Sequence, residues 1–227
     1  MDDGPRPDMR PVSAAVVVPI KAFTQAKLRL APSLEPATRA ELARAMAARV
    51  LRAARPLPAL VVCDDEEVRA WAERQGAEAL WTPDLGLNGA VEAGVAHLAR
   101  RGIERAIVAH ADLPLATELA WLAAFSGVTL VPDRHLDGTN VACVPTSAGF
   151  EFTYGAGSFA RHRAEALRLG LAARLVADAG LGWDVDVPAD LGLPPDLVLP
   201  RDVAALLPAS PAPASDPDPA PAPAEVP

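Results

Sequence analysis

The sequence predicts an α/β fold with a mixed, mainly parallel sheet flanked by helices, and three observations support it. Short runs rich in β-branched residues recur along the chain, at 15–18, 59–63, 106–109, 128–131 and 141–144. Longer stretches with apolar residues at helical spacing lie among them. The short runs are almost continuously apolar, which is typical of strands covered by helices on both faces. Strand and helix in alternation predict a mainly parallel sheet, whose ligands bind at the carboxyl ends of the strands.

Each helical stretch has its own signal in the sequence. The first contains Leu42, Met46 and Val50 at helical spacing, and the next two end just before Gly76 and Gly102, which suit helix C-termini. The predicted helices span 36–55, 65–75, 88–101 and 158–169.

Length and composition predict one globular domain with two tails. The chain has 227 residues, of which 51% are hydrophobic and 22% charged. We expect a domain at 13–207, a flexible segment at 1–12 and a disordered Pro/Ala-rich tail at 208–227. Cys63 and Cys143 lie in apolar runs and are expected to be core residues. Neither a disulfide framework nor a zinc site is indicated.

The net charge of -8 argues against nucleic acid or an anionic membrane as a partner, because both select basic surfaces. An anionic substrate would need local cations or a metal. No run approaches the roughly 18 apolar residues of a membrane span, so we expect a cytoplasmic protein. Oligomeric state stays open, with a homodimer among the options.

The loop after the first strand carries Lys21, Lys27 and Arg29 within nine residues. Placed at the carboxyl edge of a parallel sheet, three cations suit a polyphosphate. A solvated basic loop is the alternative. The glycine pattern of a P-loop is absent.

Three carboxylates are candidates for a metal site. Asp112 follows the run 106–109, and Asp184 and Asp186 alternate with apolar residues in the segment 183–187. An extended backbone would place Asp184 and Asp186 on one face, where like charges repel unless a cation lies between them. If Asp112 converges with them, the oxygen ligands suit Mg²⁺. Alternatively, Asp112 is a turn residue or helix cap, and the pair lies on an exposed edge strand.

A glycine loop opens the last predicted helix. Gly155 and Ser158 belong to it, and backbone amides at such a helix start can bind a phosphate or carboxylate. Thr139, in a turn-like segment, could offer a hydroxyl to the same anion. The loop also matches a dinucleotide fingerprint, with Asp178 as a candidate ribose-binding acid. Asn88 could contact a base or ribose, or could be a helix N-cap.

Six segments in order resemble the 2-phospho-L-lactate guanylyltransferases, the CofC/FbiD family of coenzyme F-420 biosynthesis. The resemblance extends from about residue 16 to residue 193. It is carried by VPIKAFTQAKLRL, GLNGAV, ADLPL, DGTNVA, YGAGS followed by ARHR, and WDVDVPADL.

The resemblance implies a single-domain nucleotidyltransferase-like fold of the GT-A/Rossmann-like type. It implies transfer of GMP from GTP to a small phosphorylated three-carbon acid, with release of pyrophosphate. The product is then expected to pass to the next enzyme of the pathway. Leu28 departs from the family, which usually has Ser or Thr there.

The resemblance also assigns roles to individual residues. Asp112, Asp184 and Asp186 would bind Mg²⁺ and, with Lys27, form the catalytic set. Thr139, Gly155 and Ser158 would bind the acid, and the nucleotide would contact Lys21, Lys27, Arg29 and Asn88.

Three other functions remain open at this point. One is a different nucleotidyltransferase, of the sugar-phosphate or molybdopterin type. The second is an oxidoreductase that binds NAD or NADP through the glycine loop, and the third is a catalytically silent ligand-binding protein. Phosphoenolpyruvate is favoured over 2-phospho-L-lactate as the acid, although no single residue selects between them.

Overall fold

The computed structural model describes residues 13–194 and 197–207. The tails predicted at 1–12 and 208–227 lie outside these residues. Within these ranges lie seven strands: β1 (Ala14–Pro19), β2 (Ala59–Cys63), β3 (Glu78–Trp81), β4 (Arg105–Ala109), β5 (Val128–Pro132), β6 (Thr139–Pro145) and β7 (Ala173–Leu175). The same residues form five α-helices, besides short 3-10 turns: α1 (Pro36–Ala53), α2 (Glu66–Arg74), α3 (Gly86–Arg100), α4 (Ser158–Arg168) and α5 (Arg201–Ala204).

The strands form one sheet in the order β3-β2-β1-β4-β6-β5-β7. β6 runs antiparallel to both of its neighbours, and all the other neighbouring strands are parallel. The predicted fold class, a mixed and mainly parallel sheet flanked by helices, is therefore confirmed. Because β6 is reversed, its first residue lies at the sheet edge where β1 and β4 end.

Helices cover both faces of the sheet, as the continuously apolar strands predict. Val16 and Val18 belong to the core that includes residues of α1 and α2, while Ala15 and Val17 pack on the side of α3 and α4. A third apolar cluster joins the loop after β1 to α1, α5 and the segment 183–187; it contains Leu30, Leu34, Leu42, Met46, Val185 and Val203.

The five predicted strands and four predicted helices are all present, with ends that differ from the prediction by no more than two residues. Gly76 and Gly102 follow α2 and α3 with φ of 81° and 76°, the left-handed conformation expected of a glycine after a helix. β3 and β7 were not predicted. Cys63 and Cys143 are buried free thiols, as expected. In the part of the chain that the structure describes, no helix combines the length and the apolar character needed to cross a membrane.

The segment 183–187 is not a strand, so the alternative of an exposed edge strand that carries Asp184 and Asp186 is wrong. Val185 is buried, but Val187 is exposed and lines the same cavity as the two aspartates. Their backbone is fixed by side chains, described below, instead of by a neighbouring strand.

Candidate functional site

A cavity of about 490 Å³ opens at the carboxyl edge of the central strands. Its lining combines the acidic residues of two loops with hydroxyl groups from β6 and α4, and includes Asp112, Asp184, Asp186, Thr139, Gly155 and Ser158. The structure thus brings together the candidate metal ligands and the candidate anion-binding residues, although they lie as far as 74 positions apart in the sequence.

Lys27 lies between two of the carboxylates. Its Nζ donates to Asp112 Oδ2 at 2.6 Å and to Asp186 Oδ1 at 3.0 Å, and its side chain is 11% exposed. Burial opposes the charge of the ammonium, but the carboxylates of Asp112 and Asp186 outweigh it and raise the pKa of Lys27. Burial also opposes ionisation of Asp112, yet Lys27 and then His110 lower the pKa of that carboxyl. Both partners are therefore charged at neutral pH.

Asp184 lacks such a partner. Its Oδ1 is buried and accepts no hydrogen bond from the residues described, and a guanidinium nitrogen of Arg134 lies 3.6 Å away. Burial, followed by the negative charges of Asp112 and Asp186, raises the pKa of Asp184. The three carboxylates are thus close enough to repel one another. Within the described ranges, no group of three or more Asp, Glu, His or Cys is arranged as a metal site.

A buried carboxylate, Asp190, fixes the backbone that carries Asp186. Asp190 is 3% exposed, and its Oδ2 accepts the backbone N–H groups of Asp186 at 2.6 Å and Val187 at 2.8 Å. Its Oδ1 accepts from Arg134. Two amides and one guanidinium satisfy this carboxylate, which offsets the cost of burying its charge.

Arg134 connects the acidic loop to the loop after β5. It donates to the backbone oxygen of Asp184 at 3.2 Å, and its guanidinium lies 4.4 Å from the centre of the Trp183 ring. The Trp183 indole N–H donates to the Asp190 backbone oxygen at 3.1 Å. Sequence reasoning missed Arg134 and Asp190. For Asp190 a signal was present, since it follows Pro188 in the first turn of a short helix, where a carboxylate can accept backbone N–H groups.

The glycine loop before α4 is held in shape by Arg161. This guanidinium donates to the backbone oxygens of Thr153 at 2.7 Å and Ala156 at 2.6 Å. Gly155 and Gly157 have φ of 109° and 72°, conformations that an L-residue adopts only with strain. The loop delivers Ser158 to the first position of α4, where it faces the cavity.

Thr139 and Ser158 are linked across the base of the cavity. The Thr139 backbone N–H donates to Ser158 Oγ at 3.1 Å, and both residues are 1% exposed. Thr139 Oγ1 lies 3.0 Å from Nδ1 of His162, which is fully buried. Burial, assisted by Arg161 and His110, lowers the pKa of His162 to about 4. His162 is therefore neutral at physiological pH.

The remaining predicted nucleotide contacts lie at the margin. Lys21 is exposed and lines a second cavity of about 290 Å³, which meets the first at Asp112. Arg29 is 76% exposed, with Nη1 3.7 Å from Asp186 Oδ2. Asn88 lies inside α3, so it is not an N-cap, and its Oδ1 accepts the Tyr154 backbone N–H at 2.9 Å.

The dinucleotide fingerprint lacks the structural context that it requires. A dinucleotide loop joins a parallel strand to a helix, whereas the strand preceding this loop, β6, is antiparallel to its neighbours. Asp178, the candidate ribose-binding acid, accepts the backbone N–H of Leu181 at 2.8 Å. The glycine loop is better explained as an anion site at a helix start.

Comparison with known protein families gives a match over most of the described residues. The family described as "Guanylyl transferase CofC like" matches residues 14–194. A phosphoenolpyruvate guanylyltransferase of Sphaerobacter thermophilus is 40% identical over 186 residues, covering 78% of this chain and 90% of the relative. A phosphoenolpyruvate guanylyltransferase of Conexibacter woesei is 36% identical over 190 residues, covering 78% of this chain and 85% of the relative.

Among solved structures, a putative nucleotide-diphospho-sugar transferase from Desulfovibrio desulfuricans G20 is similar in fold. Its TM-score is 0.64 at 17% sequence identity, and the match covers 78% of this chain and 84% of that one. This likeness concerns the fold alone.

Proposed function

The chain belongs to the CofC-like guanylyltransferase family, and on that premise we propose that it transfers GMP from GTP to phosphoenolpyruvate with release of pyrophosphate. The observation that carries the proposal is a cavity lined at one end by Asp112, Asp184 and Asp186 and at the other by Thr139 and Ser158. Lys27 contacts two of these carboxylates. One end suits a metal-bound triphosphate, and the other suits a small anion.

The acidic residues fit a divalent cation. Asp112 Oδ1 and Asp184 Oδ1 are buried without a hydrogen-bond donor among the described residues, which is costly for carboxylates. Asp112, Asp184 and Asp186 would hold Mg²⁺, a cation that prefers oxygen ligands and commonly binds substrate phosphates as well. Because Lys27 contacts two of them, its ammonium would have to turn toward the nucleotide phosphates when the metal binds.

The cationic loop after β1 suits the triphosphate. Lys21 and Arg29 are exposed beside Lys27, so their side chains can reach a bound polyphosphate at low cost in broken contacts. The adjoining second cavity is lined mainly by apolar side chains, including Ile20, Phe23 and Met46, which suits a nucleoside. We propose that GTP spans this boundary, with its α-phosphate near Asp112.

The hydroxyl groups at the other end suit the acid. Thr139 and Ser158 can both donate to phosphate or carboxylate oxygens, and the backbone of Gly155 approaches the cavity without a side chain. An anion there would also lie at the start of α4, whose dipole favours negative charge.

The reaction requires no general base. A phosphate monoester is already ionised near pH 7, so one of its oxygens can attack the α-phosphorus of GTP. The new phosphate–phosphate bond forms as the bond to the β-phosphate breaks, and the electron pair leaves with pyrophosphate. Bound Mg²⁺ would neutralise the triphosphate charge and align the reacting groups. Lys27 would stabilise negative charge on the phosphates, while Thr139 and Ser158 orient the attacking acid.

Pyrophosphate release tests the proposal directly. Purified protein with GTP and Mg²⁺ would be offered phosphoenolpyruvate, 2-phospho-L-lactate and 3-phosphoglycerate separately, with ATP and CTP as nucleotide controls. Release with GTP and phosphoenolpyruvate is expected. Release with 2-phospho-L-lactate alone would retain the reaction and change the acid.

Other results would reject the proposal. Release with CTP or ATP and a different acceptor would indicate another nucleotidyltransferase. Tight GTP binding without release for any acid would indicate a silent binding protein. NADH binding that protects the protein from heat, with none from GTP, would favour an oxidoreductase.

We propose that the protein acts in the cytoplasm, where GTP is available, within coenzyme F-420 biosynthesis. Its product, with a reactive diphosphate linkage, would then pass to the next enzyme of that pathway.

A further inference from the structure

His162 is buried beneath the hydroxyl end of the cavity without lining it. It is fully buried on α4, one turn after Ser158. Its ring packs against Phe150, Phe152 and Tyr154, with centroids 5.8, 5.9 and 4.9 Å away. An apolar side chain would fill this position equally well, so an imidazole there calls for an explanation from its hydrogen bonds.

The hydrogen bonds of His162 determine its tautomer. The backbone N–H of Thr153 donates to Nε2 at 2.9 Å. A backbone N–H can only donate, so Nε2 must carry a lone pair, and the ring hydrogen is on Nδ1. Nδ1 lies 3.0 Å from Thr139 Oγ1, and it therefore donates to that oxygen.

This arrangement sets the direction of the Thr139 hydroxyl. Because Oγ1 accepts from His162, its own hydrogen is directed away from the ring, and Thr139 lines the 490 Å³ cavity. The Ser158 hydroxyl is in the same situation. Its Oγ accepts the Thr139 backbone N–H, so its own hydrogen is free to be donated to a ligand. Two neighbouring hydroxyls are thereby prepared as donors, which suits an anion.

We propose that His162 is a positioning residue that holds the Thr139 hydroxyl as a hydrogen-bond donor to the phosphorylated acid. The inference rests on the proposed function. It assigns a role to a buried side chain that does not touch the substrate, and it predicts an effect on the acid without an effect on GTP. Without the imidazole the Thr139 hydroxyl can rotate freely. Binding of the acid must then fix its orientation, and the entropy lost weakens binding.

The test compares three variants of the full chain. His162→Phe keeps an aromatic ring but has no hydrogen-bonding nitrogen, and His162→Asn restores a donor near the position of Nδ1. Phe150→Leu, which alters packing on the same ring, is the matched control. We expect His162→Phe to raise KM for phosphoenolpyruvate roughly tenfold, the usual worth of one such hydrogen bond, with KM for GTP unchanged. His162→Asn should recover most of this loss.

A double-variant cycle tests whether the effect passes through Thr139. Once Thr139→Val has removed the hydroxyl, adding His162→Phe should raise KM for phosphoenolpyruvate no further. Additive effects would overturn the inference. So would an equal rise in both KM values, or the same KM shift in Phe150→Leu, because each would show that His162 acts only through packing.

Failure of the proposed function can be distinguished from failure of this inference. Nitrogen-15 NMR of the wild-type protein reads the tautomer without any turnover, and an unprotonated Nε2 with a protonated Nδ1 is expected. Protonation on Nε2 overturns the inference whatever the enzyme does. A wild type that joins GMP to none of the acids overturns the proposed function, and the assignment of His162 to the acid with it.

Discussion

The two ends of the cavity are built on different principles. The acidic half, formed by Lys27, Asp112, Asp184 and Asp186, is held by ion pairs among charged side chains. The hydroxyl half, formed by Thr139, Ser158 and His162, is neutral and held by hydrogen bonds that include two backbone amides.

If substrates bind as proposed, the two halves would respond differently. In the acidic half, Lys27 contacts Asp112 and Asp186 but leaves Oδ1 of Asp112 and of Asp184 without a donor among the described residues. A cation bound there would compete with Lys27 for these carboxylates. In the hydroxyl half, the internal bonds leave both hydroxyl hydrogens available, and an anion can be added without breaking them. We therefore expect binding in the acidic half to replace existing ion pairs. In the hydroxyl half, the donors are already oriented for an anion.

The largest expected effect comes from the acidic half. Asp184→Asn should lower the rate of GMP transfer on the order of 10³-fold, because several kcal/mol of metal-dependent charge stabilisation would be lost. Pyrophosphate release at saturating GTP and Mg²⁺ measures this. The midpoint temperature of thermal unfolding should be unchanged or slightly higher, since the substitution removes a carboxylate that its neighbours repel.

Asp178→Asn is the matched control for this substitution. Asp178 lies shortly before the segment 183–187, but its Oδ1 accepts the Leu181 N–H, a bond that asparagine can retain. Its activity should remain close to that of the wild type. Near-normal turnover by Asp184→Asn would remove Asp184 from the metal site.

A smaller effect separates the two cations that contact Asp186. Lys27→Met should lower turnover about 100-fold, because its ammonium is nearly buried where the reacting phosphates are proposed to bind. Arg29→Met should change turnover less than about fivefold, since an exposed ion pair at this distance contributes little. Steady-state turnover rates of the two variants measure this difference. Equal losses of turnover in both would contradict the greater importance of Lys27.

The smallest expected effect concerns the hydroxyl half and pH. The pKa of His162 is about 4 when folded, against an ordinary value of 6.5, so the unfolded chain binds its proton more readily. Neutral His162 contributes fully to stability above pH 6.5, and that contribution is lost as pH falls toward 4. Arg161 and His110 oppose protonation and Glu165 favours it. The loss between about pH 7.5 and pH 5 should be roughly 2 kcal/mol.

Urea unfolding at both pH values measures this loss. His162→Phe has no titrating ring, so its free energy of unfolding should fall less than that of the wild type over the same interval. Parallel curves for the two proteins would show that His162 does not account for the acid sensitivity.

The fold was predictable because its signals are local. Each run of valine and alanine in β1, β2 and β4 predicts a buried strand without knowledge of its neighbours. β7 was not predicted because it has only three residues, one of them Arg174, and so short a run shows no periodicity. The reversal of β6 was also hidden, since strand direction depends on the path of the chain between strands.

The site was predictable only in part. Residues that occur in motifs, such as Asp184 and Asp186, were found from their spacing and from the family resemblance. Arg134 and His162 were not, because their partners Asp190 and Thr139 lie 56 and 23 positions away and only the folded chain brings them near. Asp190 was missed although its place in a short helix is a local signal. The alternation in segment 183–187 left an edge strand open as an alternative, since alternation does not reveal that a buried carboxylate holds the backbone.

The stacking of Arg134 on Trp183 has a practical consequence for spectroscopy. The indole emits according to its surroundings, and here it lies under a guanidinium, one residue before Asp184. A shift of this loop would alter the field at the ring, so the contribution of Trp183 to the fluorescence of the four tryptophans would report binding at the acidic half, with no label attached to the nucleotide. The protein carries its own optical probe beside the place where the chemistry is proposed to occur.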